Sequence, residues 1–87
     1  MKKRTLNDGD KSLLVHCLKE HAPDLISEID HLDQLDIDTI ERMREAIGDE
    51  LIAKGFNGFD EKTEYGSKVD DLMERFAALY YWPRLEN

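Results

Sequence analysis

The sequence predicts an all-α fold, a four-helix bundle-like single domain with one longer loop between helices three and four. Three observations predict it. Apolar residues recur at spacings of three and four in four separate stretches. Capping or turn residues bound each stretch. The links between them are short, which favours helices packed on one another as the economical solution. At 87 residues the chain has room for one small domain, spanning 1–87, with 1–7 expected to be flexible. A chain of this size buries roughly 60% of its unfolded surface, so its core is modest.

The first helix is expected over 11–21, after the turn Asn7-Asp8-Gly9-Asp10, with Asp8 or Asp10 capping its exposed N–H groups. Leu13, Leu14, Cys17 and Leu18 give it an apolar side. Pro23 breaks it, since proline lacks the N–H that would continue the ladder and disfavours helix at Ala22. Pro23 also suits the first turn of a second helix, which sets Leu25, Ile26, Ile29 and Leu32 on one face. Leu35-Asp36-Ile37-Asp38 reads as a connector, with Asp38 capping the third helix and Glu41 placed for a capping box. Ile40, Met43, Ile47 and Leu51 form its stripe. Gly48 inside it costs about 1 kcal/mol relative to Ala, tolerable where a neighbouring helix crosses closely. Lys54-Gly55-Phe56 is a stop signal, with Gly55 free to take positive φ. Asn57-Gly58 then predicts a tight turn between Phe56 and Phe59 as aromatic anchors, in a small hairpin or packed loop. Thr63 caps the fourth helix, whose stripe is Val69, Leu72, Met73, Phe76 and Tyr80, and Pro83 ends it near Tyr81 or Trp82.

Charge is the most informative feature for function. Eleven carboxylates lie from Glu20 to Glu50, against only Arg42 and Arg44 as Lys or Arg in that stretch, while the rest of the chain nearly balances. The net charge of −8 opposes nucleic acid, whose phosphates require Lys and Arg. It equally opposes anionic membrane surfaces. The field suits a basic protein and would speed its capture. The plainer reading is that acidic charge keeps a small bacterial-type protein soluble. Cys17 is single, so no intramolecular disulfide is expected and a reducing compartment fits. No apolar run approaches a membrane span, and no apolar segment follows the basic start as a secretory signal would require. A cytoplasmic location is expected.

Chemistry-bearing patterns are sparse. Cys17 and His21 share a helical face as half of a zinc site, but His16 points off that face and His31 lies on another element. Cys17 is more simply a core residue. Asp30, Asp33, Asp36 and Asp38 lack the glycine and terminal glutamate of an EF-hand loop. No serine, cysteine or carboxylate pair stands in a catalytic pattern. No metal, cofactor or enzymatic activity is expected. Tyr80-Tyr81-Trp82 cannot all face one core, because successive helical residues are rotated by about 100°. At least one of them is expected to be exposed or to cover a loop such as 56–59: the plainer reading has Tyr80 and Trp82 plug the bottom of the bundle, and the functional one has an aromatic anchor at an interface.

Lys54-Gly55-Phe56 followed by Thr63-Glu64-Tyr65-Gly66 resembles the recognition-helix, wing and helix stretch of winged-helix regulators. That resemblance covers about a dozen residues and would imply DNA binding, yet the groove-facing helix would carry Glu41, Glu45, Asp49 and Glu50. The acidic helices, the chain length and Tyr80-Tyr81 followed by Pro83 are similar in organisation to the small four-helix immunity proteins of the colicin nuclease type. In that family the tyrosine pair lies mid-chain with a helix after it, whereas here it ends the chain. The resemblance implies a non-enzymatic protein whose acidic helix and tyrosines hold a basic toxin domain. The leading expectation is therefore an acidic protein-binding module, most specifically an immunity or inhibitor protein. Its contacts would be Asp30, Asp33, Asp36, Asp38, Glu41, Glu45 and Asp49, with Tyr81 or Trp82 as anchor. The alternatives are a self-associating helical module, as a homodimer, and a winged-helix-like regulator.

Overall fold

The computed structural model describes residues 6–59 and 61–80, which form four helices and one core. Helix α1 is Asp8–His21, a 3₁₀ helix follows at Pro23–His31, and helices α2 and α3 are Ile37–Lys54 and Glu64–Tyr80. The all-α expectation holds. Helix α2 packs against both α1 and α3, and the 3₁₀ helix packs against α1. The core is Leu14, Cys17 and Leu18 of α1, Leu25 of the 3₁₀ helix, Ile40, Met43, Ala46 and Ile47 of α2, and Val69, Leu72 and Phe76 of α3, closed by Leu6 and Ala22.

The helix starts differ from expectation, for physical reasons. Asn7 caps α1: its Oδ1 accepts from Asp10 N at 2.7 Å, so neither Asp8 nor Asp10 is the cap. Asp10 is buried instead and accepts three bonds from the Nε and Nη2 of Arg75 of α3 at 2.6–3.0 Å. Residues 6 and 7, expected to be flexible, are a core residue and a cap; 1–5 lie outside the described residues. Asp36 rather than Asp38 caps α2, accepting from Thr39 N at 2.8 Å. Thr63 caps α3 as expected, its Oγ1 accepting from Gly66 N at 2.9 Å.

The segment after Pro23 tightens to three residues per turn. Ile26, Ile29, Leu32 and Leu35 recur at intervals of three, and a 3₁₀ helix aligns i and i+3 on one ridge. All four pack on the core. Tyr80 fastens this region to α3, donating its hydroxyl to Leu32 O at 2.6 Å and stacking on Phe76 at 4.6 Å between ring centroids.

Two glycines matter at the α2–α3 junction. Gly55 ends α2 at φ −84° and ψ −8°, right-handed rather than with the positive φ expected. Both glycines serve proximity: a Cβ on Gly55 would lie 2.3 Å from Leu51 O, and one on Gly66 would lie 2.1 Å from Gly55 O. Gly48 differs, since a Cβ there would meet Met73 Cε at 3.6 Å, an ordinary contact. Gly48→Ala is accordingly expected to stabilise the fold by about 1 kcal/mol, through helix propensity, as read by the urea midpoint at unchanged m.

The link between α2 and α3 is held by a side chain. Asn57 Oδ1 accepts from Phe59 N at 2.8 Å and Glu61 N at 3.1 Å, and Phe56 pairs with Lys62 in a single antiparallel bridge. Phe56 and Phe59 are not anchors as expected. They are 45% and 86% exposed. Among the described residues no helix is long and apolar enough to cross a membrane.

Candidate protein-binding surface

Helix α2 has two opposite faces. Ile40, Met43, Ala46, Ile47 and Glu50 point into the core. Asp38, Glu41, Glu45 and Asp49, spaced by three, four and four, fall within an arc of about 80° at 3.6 residues per turn, on the other side. Asp38, Glu45 and Asp49 are exposed and Glu41 partly so. Among the described residues only Glu41 of these four has an ionic partner, Arg44 at 3.8 Å. A pair that long and that exposed neutralises little.

The other predicted acids, Asp30, Asp33 and Asp36, precede α2 in the chain, as does Asp24. Asp24 and Asp30 fall on one ridge of the 3₁₀ helix, six residues apart at three per turn, and both are exposed, as is Asp33 in the turn beyond. Arg42 joins the two rows. It lies between Asp38 and Glu45 on α2, at i−4 and i+3, and donates to Asp24 at 2.8–2.9 Å. This hydrogen-bonded guanidinium holds the Asp24 carboxyl below the ordinary carboxylate range. Asp36 is exposed but occupied as the α2 cap, and the bonds from Thr39 hold its carboxyl low as well. Tyr81 and Trp82 lie outside the described residues.

One carboxylate counted in the acidic stretch faces inward. Glu50 is fully buried. Tyr65 of α3 donates to its Oε2 at 2.5 Å, and His21 of α1 stands 2.9 Å from Oε1. His16 Nε2 approaches Oε2 at 3.3 Å and Lys54 Nζ at 3.9 Å. Burial pushes the Glu50 carboxyl up, but the hydrogen bonds from Tyr65 and His21, with Lys54 and His16 nearby, outweigh it and hold the group below its ordinary value. An ionised carboxylate only accepts, so the His21 ring presents its Nε2–H. Burial, followed by the bond to Glu50, drives the Tyr65 phenol up. The Cys17 thiol beside them is pushed up to about 12, by burial first and by Glu50 second.

This junction pins α1, α2 and α3 to one buried charge, and so fixes which face α2 turns outward. His16 joins His21 on Glu50 rather than pointing away from it, and His31 stands exposed on the 3₁₀ helix. Among the described residues no three His, Cys, Asp or Glu side chains are arranged to hold a metal ion. The signal for Glu50 is present in the sequence. Met43, Ala46 and Glu50 continue one helical stripe at spacings of three and four, so the acid occupies a core position. Comparison with known proteins adds no relative: no family model, no curated protein and no solved structure matches this chain.

Proposed function

We propose that this protein is a non-enzymatic binding module that engages a basic protein through the outer face of α2. An immunity or inhibitor protein that neutralises a bacterial toxin is the most specific form of the reading. The observation that carries it is the stripe of Asp38, Glu41, Glu45 and Asp49, opposite the buried face of the same helix, in which only Glu41 has an ionic partner among the described residues. Asp30 and Asp33, exposed ahead of α2, add to the negative charge. Charge needed only for solubility could be spread evenly over the chain, whereas eleven of its twenty carboxylates lie from Glu20 to Glu50. A nucleic-acid partner is opposed by the same stripe, which would face phosphate with carboxylate.

The test is a partner captured from native lysate and measured against ionic strength. Affinity is expected to fall about tenfold or more between roughly 50 and 500 mM salt, as screening shortens the reach of exposed charges. The variant D38N/E41Q/E45Q/D49N, which keeps side-chain size, is expected to lose the partner. Binding indifferent to both changes overturns the reading.

A second reading, a self-associating helical module, draws support from exposed Ile37, Ile52, Phe56 and Phe59. Tyr80, also considered for such an interface, is half-buried and bonded to Leu32 O. Sedimentation at increasing protein concentration separates the two: a concentration-dependent dimer supports self-association.

A further inference from the structure

The acidic stripe does not end in water. The next outward position after Asp49 is Ile52, which is 76% exposed and lies in the same arc of α2. Gly55 keeps a right-handed conformation, so Phe56 follows about one turn further on, and Phe59 stands in the turn beyond it. Three large apolar side chains therefore cap one end of a row of carboxylates, on a helix of a chain with a net charge of −8. Adjacent exposed apolar groups of this kind mark contact sites more often than isolated ones do.

The charge of the chain selects the occupant. A second copy would bring one −8 chain against another, with α2 stripes facing each other. Of the two lysines nearest the apolar end, Lys62 pairs with Asp70 at 2.6 Å, and Lys54 lies one turn beyond Glu50 on the inward side of α2, away from the stripe. The carboxy-terminal end of α2 adds the negative pole of its helix dipole to Asp49. The whole face presents negative charge around an apolar end.

We infer that Ile52, Phe56 and Phe59 form an exposed apolar anchor site for a large apolar side chain, flanked on the partner by lysines or arginines that lie along Asp38, Glu41, Glu45 and Asp49. The partner segment is thus basic along its length and aromatic or aliphatic at one end. Steering and register come from the charges, and residence comes from the apolar end. This inference rests on the reading of α2 as a binding face and adds the chemistry of what it binds.

Two synthetic peptides of about 15 residues test it against the isotope-labelled full chain, followed by amide chemical shifts. Both carry lysine at every third or fourth position, the spacing that lines one helical face; one ends in Leu-Trp, the other in Ser-Ser. The Leu-Trp peptide is expected to bind about tenfold tighter, a gap of about 1.4 kcal/mol, and to shift amides at Ile52, Phe56 and Phe59. In the double variant Ile52→Ser, Phe59→Ser, which leaves the core untouched, the two peptides are expected to bind alike. Equal binding of both peptides to the wild-type chain overturns the apolar anchor while leaving acidic capture standing. Binding by neither at low salt overturns both. A dimer in sedimentation that the double variant abolishes assigns the apolar end to a second copy and also overturns the inference.

Discussion

Glu50→Ala is expected to lower the stability of the fold by about 3–5 kcal/mol, read as a fall in the urea midpoint. Removal of one member of a buried, hydrogen-bonded ionic set costs that much because its partners stay behind in a dry site. Here those partners are the Tyr65 hydroxyl and the His21 ring, contributed by α3 and α1. Typical native stability is only about 5–15 kcal/mol, so the loss would leave a large share of molecules near unfolding at ordinary temperature. Glu50→Gln keeps the shape and an acceptor for Tyr65 and is expected to cost about 1–2 kcal/mol. A loss equal to that of the alanine variant would show that charge, and not hydrogen bonding, holds the junction.

The same carboxyl sets an acid limit. Its folded pKa lies below the ordinary 4.5, so as pH falls the unfolded chain takes up this proton first. The stabilisation is fully present above about pH 4.5 and is lost as pH falls through the folded value. Glu50→Gln is expected to flatten that part of the stability profile below pH 4.5. An unchanged slope would assign the acid sensitivity to other carboxylates.

Gly66→Ala is the second large expected effect, a loss of about 2–3 kcal/mol, in the upper part of the range for overpacking. The added methyl would sit 2.1 Å from Gly55 O and 2.8 Å from its Cα. These are backbone atoms, and Gly55 O also accepts from Thr63 N at 2.8 Å and Thr63 Oγ1 at 3.2 Å. The start of α3 cannot move away without loosening its own cap. For a domain of this size the loss corresponds to a fall in Tm of at least about 8 °C. The same substitution at Gly48 is expected to act in the opposite direction, so thermal melts of the two variants form an internal control.

Much of this was legible in the residues. Apolar spacing located all four helices, and the 38, 41, 45, 49 stripe follows from counting by three and four along one helix. Cap registers were harder, because Asp36 and Asp38 are equally good acceptors two residues apart, and the choice fell on the one whose partner is Thr39 N. Asn7 and Asp10 divided their roles through Arg75, a residue 65 positions further along that no local pattern reveals. The 3₁₀ helix had its own signature in the strict interval of three from Ile26 to Leu35, which a search for helical period alone overlooks. The burial of Glu50 was visible as an acid on an apolar stripe, but its partners sit on three elements. Phe56 and Phe59 were misread because Asn57 closes their loop with its own side chain, leaving the rings no internal task.

Cys17, wholly enclosed and with its thiol raised to about 12, supplies the molecule with a clock. An alkylating reagent reacts with thiolate, so labelling must wait for an opening event that exposes and ionises the sulfur. At high reagent concentration, where labelling outpaces reclosing, the rate therefore counts how often the core around Cys17 opens, and at lower concentration it reports the fraction of molecules open. No dye or engineered probe is needed, and the reading requires neither heat nor denaturant.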